Sequence, residues 1–176
     1  MIGRVRESWQ RLRKHTGWSL AFDAAVLAMI FFAIHAWQTR NLPDDELAPY
    51  TELALLGGGM DSALRSGEPG IVYFFAPWCR VCRLSIGNLD SLVAKGRVQW
   101  ATVVALDYAD ADEVSKFIDD SGVSLPVLLG TAETAADWSV RAFPTYYVID
   151  SAGRIQSRSV GYSTWLGMWA RNAWAQ

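Results

Sequence analysis

The chain contains two cysteines among its 176 residues, Cys79 and Cys82, three positions apart. An apolar segment, Ile71 to Phe75, runs toward them and is followed by the turn-forming pair Pro77-Trp78. A strand that leads through a turn into a helix beginning with two such cysteines is the layout of a dithiol/disulfide site. At helical spacing the second sulfur lies within bonding reach of the first, so the pair can close and reopen without remodelling the fold.

A cysteine pair at this spacing is also compatible with a structural disulfide or a metal site. An inert disulfide stabilises by constraining a long loop of the unfolded chain, and a loop of this size gains little. A zinc site needs further ligands, but the two histidines, His15 and His35, lie in a basic segment and an apolar run distant in sequence. Cu(I) held by the two thiolates remains an alternative.

The N-terminal 37 residues have the composition of a membrane anchor. Residues 1–17 carry five Arg and Lys residues against one acidic residue, and residues 18–37 are apolar with a tryptophan at each end. A helix of about 20 residues crosses the hydrocarbon core of a bilayer, and basic residues stay on the cytoplasmic side. We therefore predict a basic cytoplasmic segment 1–17 and a transmembrane anchor 18–37, in preference to a cleaved signal peptide. The net positive charge lies at this end and the rest of the chain is net negative, which argues against a nucleic-acid-binding protein, whose basic residues would lie on the folded domain.

The remainder reads as a tether, 38–49, and one folded domain, 50–176. The tether is polar and contains two prolines, which is typical of a linker. In the domain, strands and helices alternate and predict an α/β fold with a mixed central sheet. Predicted strands cover residues 51–56, 71–76, 98–106, 124–129, 145–149 and 154–160, and predicted helices cover 80–94, 111–120, 132–139 and 163–175.

Two local features of the domain carry further expectations. The triple glycine at 57–59 is not followed by the Gly-Lys-Ser/Thr of a phosphate loop, so we predict a turn there. In the helix over 80–94, the apolar stripe is expected to include Leu84, Leu89 and Leu92.

The position of Cys79 predicts its reactivity. A sulfur at a helix N-terminus faces unpaired N–H groups and the positive end of the helix dipole, which favours the thiolate. Arg80 and Arg83 add positive charge nearby. We expect a lowered pKa for Cys79, which makes it the nucleophile, and expect Cys82 to resolve the mixed disulfide.

A second segment supports redox chemistry. Phe143-Pro144-Thr145 directly precedes the predicted strand at 145–149. A proline at the start of a strand can simply mark a sheet edge. Here it falls where a cis X-Pro loop would lie against the dithiol and present backbone groups to an extended substrate.

These two segments together resemble the thioredoxin superfamily over about residues 50–176. The αβ segment at 111–129 is an additional unit and is similar to the TlpA/ResA/DsbE group of membrane-tethered periplasmic thiol-disulfide oxidoreductases. The short acidic tether and the ending Val160 to Gly167 look most like the copper-sensitivity suppressor protein D type. The resemblance implies that no cofactor is needed beyond the redox-active disulfide.

The resemblance also implies roles for individual residues. They are Trp78 as a shield of the dithiol, Cys79 as the attacking thiol, Cys82 as the resolving thiol, Pro144 in the cis form as a docking residue, and Arg80, Val81 and Phe143 as active-site support.

Two departures from the resemblance concern proton transfer. Thioredoxin has a buried aspartate at the position of Tyr73, and some relatives have a glutamate at the position of Ser85; this chain has neither carboxylate. Glu68 and Asp107 are possible substitutes whose distance from Cys82 the sequence does not define.

The resemblance implies a disulfide reductase that is anchored in the bacterial inner membrane and has its catalytic domain in the periplasm. Its implied partners are thiols and disulfides of exported proteins and a membrane electron-donor protein. Stabilisation of the Cys79 thiolate favours the opposite direction, that of a dithiol oxidase, because it stabilises the reduced form. A Cu(I)-binding module in copper tolerance is a further alternative.

Overall fold

The computed structural model describes residues 21–34, 36–37, 39, 46–65 and 67–175. The chain forms two compact units, residues 1–40 and residues 41–176. In the first unit, residues 21–34 are helical. Across the described ranges, none of the helices combines the length and the apolar character needed to cross a membrane. The predicted segment 1–17 lies outside the described residues, as do parts of the predicted anchor 18–37 and tether 38–49.

The second unit is built on a mixed sheet of seven strands among the described residues. The strands are β1 (Glu52–Leu55), β2 (Met60–Ser62), β3 (Gly70–Phe75), β4 (Trp100–Ala105), β5 (Val127–Leu129), β6 (Thr145–Ile149) and β7 (Ile155–Val160). The helices are α1 (Arg80–Ala94), α2 (Ala111–Ser121), α3 (Ala132–Asp137) and α4 (Trp165–Ala173). The strand order is β2-β1-β5-β4-β3-β6-β7, with β3, β4 and β5 parallel and the other pairs antiparallel. This is the α/β architecture that the sequence predicts.

The middle of the sheet is enclosed on both faces. All six residues of β3 and of β4 are buried. On one face, Phe75 stacks on Phe117 of α2 with ring centroids 4.8 Å apart. On the other face, Phe74 packs against Trp138 at 5.2 Å. Because successive strand residues point to opposite faces, β3 anchors both layers of the core.

Strand direction brings the functional segments to one edge of the sheet. β3 and β4 run parallel, with Gly70 opposite Trp100 and Phe75 opposite Ala105, so their carboxyl ends coincide. β6 runs antiparallel to β3 and begins at this same edge, where Thr145 pairs with Phe74. The residues that follow β3 and β4 and those that precede β6 therefore converge.

Each predicted strand and helix of the domain occurs, with ends shifted by at most three residues. The additional αβ unit is α2 followed by β5, which lies parallel to β4. The prediction for residues 57–62 was incomplete. The glycines form the expected turn, with Gly58 at φ 99°, but the chain then continues as β2, paired with β1.

The buried face of α1 differs from the prediction at one residue. Leu89 and Leu92 are fully buried, whereas Leu84 is 71% exposed. The buried positions step by three or four residues from Cys82 through Ser85, and Leu84 lies outside that stripe. The prediction that Leu84 contributes to the core was wrong.

Candidate active site

Cys79 and Cys82 form a disulfide at the N-terminus of α1, with Cα atoms 5.3 Å apart. Cys79 is the N-cap residue, and its sulfur accepts a hydrogen bond from the backbone N–H of Cys82 at 3.1 Å. Cys79 is 6% exposed and Cys82 is fully buried. Cys79 is therefore the more accessible of the two cysteines.

The two arginines near the dithiol have different surroundings. Arg80 is the first residue of α1 and is exposed. The guanidinium of Arg83 lies over the ring of Phe117 at 5.3 Å and 3.7 Å from the Asp120 carboxylate. Its charge is thus directed toward α2 and partly offset. The helix N-terminus at Cys79 and the adjacent Arg80 are the positive groups that accompany the dithiol in sequence.

Trp78 lies at the rim of the dithiol and is 59% exposed. Its indole N–H donates to the carboxylate and to the backbone carbonyl of Asp107, each at 3.1 Å. Its ring packs edge-on against Phe143, with centroids 5.8 Å apart. Trp78 therefore connects the loops after β3 and β4 with the loop before β6. Asp107 was considered in the sequence only as a proton acceptor, and its contact with Trp78 was not predicted.

The proline segment lies at the same edge. The Phe143–Pro144 peptide bond is cis, and the Pro144 carbonyl accepts a hydrogen bond from the N–H of Gly161 at 2.7 Å. Since Thr145 pairs with Phe74 of β3, Pro144 is held beside the turn that leads to Cys79. Val81, the second residue of α1, is 39% exposed.

Tyr73 and Ser85, the two residues that replace carboxylates of related proteins, form a hydrogen bond with each other. The Tyr73 hydroxyl and Ser85 Oγ lie 2.6 Å apart, and both residues are fully buried. Burial raises the pKa of Tyr73 above its usual range, more strongly than the hydrogen bond with Ser85 lowers it. Tyr146 stacks on Tyr73 at 6.5 Å, and its own hydroxyl accepts a hydrogen bond from Arg171 at 3.0 Å.

The two substitute carboxylates suggested by the sequence lie at opposite edges of the sheet. Glu68 precedes β3, and its backbone carbonyl accepts a hydrogen bond from the indole of Trp100 at the start of β4. Cys79 follows the other end of β3, so Glu68 lies at the end of the strand away from the dithiol. Asp107 lies at the correct edge, bound to Trp78. Among the described residues, no group of three or more His, Cys, Asp or Glu side chains is placed to hold a metal ion.

Comparison with known proteins decides the family. The family model described as AhpC/TSA family matches residues 48–158. The chain belongs to the AhpC/TSA family. This AhpC/TSA protein is 26% identical over 155 residues to the thioredoxin-like protein YneN of Bacillus subtilis, covering 85% of this chain and 84% of YneN. It is 32% identical over 121 residues to the thiol:disulfide interchange protein HelX of Rhodobacter capsulatus, covering 65% and 66%.

Solved structures confirm the thioredoxin-like fold of this AhpC/TSA domain. A structure of a thiol:disulfide interchange protein DsbE from Chlorobium tepidum matches with a TM-score of 0.69 at 23% identity, covering 77% of this chain and 99% of that chain. The predicted resemblance to the TlpA/ResA/DsbE group is confirmed. The finer resemblance to the copper-sensitivity suppressor protein D type stays a prediction. With a Cys-x-x-Cys disulfide at its helix N-terminus, the protein is a thiol-disulfide oxidoreductase.

Proposed function

We propose that the protein is a disulfide reductase that acts on exported proteins. The observation that carries the proposal is the unequal burial of the dithiol: Cys79 is 6% exposed at the helix N-terminus, and Cys82 is fully buried behind it. An accessible sulfur favoured as a thiolate, backed by a second thiol within bonding reach, suits a two-step exchange. Pro144 lies beside this pair, at the sheet edge where a substrate segment would have to bind.

The exchange transfers two electrons to the substrate. The Cys79 thiolate attacks one sulfur of a substrate disulfide, and the other substrate sulfur leaves as a thiolate. The Cys82 thiolate then attacks the Cys79 sulfur, and the bond between Cys79 and the substrate breaks. The products are two substrate thiols, after protonation, and the Cys79–Cys82 disulfide that the structure contains.

The backbone of Phe143 is suited to hold an extended partner during this exchange. Its N–H and carbonyl have no hydrogen-bond partner in the described part of the chain, while the next carbonyl, that of Pro144, is occupied by Gly161. Free backbone groups beside a reactive pair can pair with a peptide strand. Trp78, packed against Phe143, would cover one side of that peptide.

We also propose that residues 18–37 anchor the protein in the inner membrane, with residues 1–17 in the cytoplasm and residues 50–176 in the periplasm. Support comes from the apolar run and its basic flank. Alkaline phosphatase fused after Gln176 should be active, and the same enzyme fused after Gly17 should be inactive. The reverse pattern would contradict this topology. In this location a membrane protein with its own dithiol would return the Cys79–Cys82 pair to the reduced form.

One observation favours the opposite direction. The N–H of Cys82 donates to the Cys79 sulfur at 3.1 Å, and the same contact would stabilise a Cys79 thiolate in the reduced form. A more stable reduced form makes the disulfide a stronger oxidant. A dithiol oxidase is therefore the second candidate.

Reduction of a model disulfide such as insulin tests the proposal. The reduced full chain should cleave the insulin disulfides, Cys79→Ser should abolish the reaction, and Cys82→Ser should accumulate a mixed disulfide. The matched control is Ser91→Ala, in α1 well beyond the dithiol, which should react like the parent. A chain that retains one Cu(I) and turns over no disulfide would indicate the copper-binding alternative instead.

A further inference from the structure

The solvent-remote side of the dithiol contains a pair of hydroxyl groups. Tyr73 reaches this region from β3 and Ser85 from α1, and their oxygens lie 2.6 Å apart. Both residues have 0% exposure. The residues of β3 and β4 include no acidic and no basic side chain, so the sheet side of this region is uncharged.

The hydroxyl pair is adjacent to Cys82. Ser85 follows Cys82 by one helical turn, and side chains three residues apart share a face with Cβ atoms about 5–6 Å apart. Helical side chains also lean toward the N-terminus of the helix. The Ser85 hydroxyl is therefore directed over the turn that contains Cys82, and Cys82 and Tyr73 belong to the same buried cluster.

One hydroxyl hydrogen of the Tyr73–Ser85 pair is not taken up by the hydrogen bond between the two residues. Two hydroxyl groups hold two hydrogens, and the bond between them takes one. A helical serine often donates to the carbonyl four residues earlier, as Ser121 does to Phe117 at 2.6 Å. In the described structure Ser85 makes no such bond, and Tyr73 is its hydrogen-bond partner. A buried donor without an acceptor is costly, and Cys82 lies one helical turn before Ser85 on the same face of α1.

We propose that Tyr73 and Ser85 are positioning residues for Cys82, with Tyr73 donating to Ser85 Oγ and Ser85 donating to the Cys82 sulfur of the reduced protein. A hydrogen bond donated to sulfur stabilises the thiolate over the thiol. The pair thereby assists the resolving thiol without placing a charge in the core. The inference rests on the proposed function only for the resolving role of Cys82.

The pair stabilises the Cys82 thiolate but does not take its proton. Burial raises the pKa of Tyr73, so its hydroxyl stays protonated. When the Cys82 thiolate attacks the Cys79 sulfur, the electron pair of the broken bond leaves on the substrate sulfur. The proton released by Cys82 passes to water or to that departing sulfur.

Charged groups on the elements packed against α1 are directed elsewhere. Arg83 and Asp120 pair on the α2 side, and Arg171 of α4 donates to the hydroxyl of Tyr146. Arg80, the first residue of α1, is exposed, and the Asp107 carboxylate accepts a hydrogen bond from Trp78 at the rim. The contacts of Asp90 with Ser124 and of Lys95 with Trp165 lie farther along α1. Cys79 is the titratable group directly beside Cys82.

A titration of Cys82 in the full chain carrying Cys79→Ala tests the proposal, because Cys82 is then the one cysteine. Carbon-13 at cysteine Cβ gives a single resonance whose shift reports the thiol–thiolate midpoint, without substrate or reagent. We expect Ser85→Ala and Tyr73→Phe each to raise this midpoint by at least about one pH unit, or tenfold in thiolate population. That change is at the lower end of what a hydrogen bond to a charged group contributes.

The matched control is Tyr146→Phe. It removes a tyrosine hydroxyl from the same layer, stacked on Tyr73 but bonded to Arg171, and it should leave the midpoint in place. The proposal is overturned if both test variants, with parental near-UV circular dichroism, stay within about 0.3 pH units of the parent, or if Tyr146→Phe raises the midpoint equally. Because no turnover is involved, a wild-type chain that fails to reduce insulin would contradict the proposed function and not this result.

Discussion

Trp78 and Asp107, 29 residues apart in sequence, meet at the rim of the dithiol through two hydrogen bonds of 3.1 Å from one indole N–H. Trp78 follows β3 and Asp107 follows β4, so the parallel pairing of these strands brings them together. Because the same ring packs on Phe143, a single side chain links the three loops around the active site. Asp107 is thus a structural support of the surface that a partner protein would meet.

Two replacements of Asp107 should show that its side-chain acceptor and its tolerance of a left-handed backbone together stabilise the fold. Asp107 has φ 51°, a left-handed conformation that Asn tolerates and Ala does not favour. We expect Asp107→Ala to lower the free energy of unfolding by about 1–2 kcal/mol, from the lost hydrogen bond and the backbone cost. Asp107→Asn, which keeps an acceptor, should stay within about 0.5 kcal/mol of the parent. Equal losses in urea denaturation of the two variants would contradict this account.

The same substitution should have a large effect at one leucine of α1 and almost none at another. Leu89 is fully buried and Leu84 is 71% exposed. We expect Leu89→Ala to lower the free energy of unfolding by about 2–5 kcal/mol, because it leaves a cavity in the core. Leu84→Ala should change it by less than about 0.5 kcal/mol. Urea denaturation of the oxidised protein measures both, and comparable losses would mean that the face of α1 is misassigned.

Substitution of two glycines, Gly70 and Gly87, should change stability in opposite directions. A Cβ at Gly70 would collide with both the side chain and the backbone of Trp100, whereas a Cβ at Gly87, on the exposed face of α1, would meet nothing within 4 Å. Gly87→Ala should stabilise the protein by about 0.5–1 kcal/mol, since Ala favours a helix over Gly by that amount. Gly70→Ala should destabilise it by about 1–3 kcal/mol through overpacking. Thermal midpoints that move in the same direction would contradict the prediction.

Stability should fall in alkaline solution. Burial raises the pKa values of Tyr73 and Tyr147 above their usual range, while an unfolded tyrosine titrates near pH 10. Above that pH the unfolded chain loses protons that the folded chain keeps. The stabilisation is therefore complete below about pH 10 and declines above it by up to about 1.4 kcal/mol per pH unit for each tyrosine. Urea midpoints of the oxidised protein should show this decline, and Tyr73→Phe/Tyr147→Phe should flatten it; an unchanged slope would contradict it.

Features encoded by contiguous residues could be predicted from the sequence. The strand, turn and helix around Cys79 and Cys82 follow from local periodicity and turn chemistry. The Phe143-Pro144 segment is recognisable for the same reason. Short strands are harder, because β2 has three residues and is held by pairing with β1 rather than by its own sequence.

Individual contacts between side chains of distant segments could not be predicted. The sequence shows two missing carboxylates at Tyr73 and Ser85, but only the packing of α1 on β3 shows that their hydroxyls bond each other. Likewise, Glu68 and Asp107 are equivalent as sequence candidates. Strand direction separates them, since one precedes β3 and the other follows β4.

The reduction potential of the Cys79–Cys82 pair tests the central proposal most directly. The full chain is equilibrated with glutathione buffers of known ratio, and the oxidised and reduced fractions are measured by trapping free thiols. A disulfide reductase should have a potential of about −250 mV or below, whereas strong oxidants of this chemistry lie near −120 mV. We predict a potential of about −250 mV or below for this protein. A potential of about −120 mV would contradict the reductase proposal and establish the dithiol oxidase in its place.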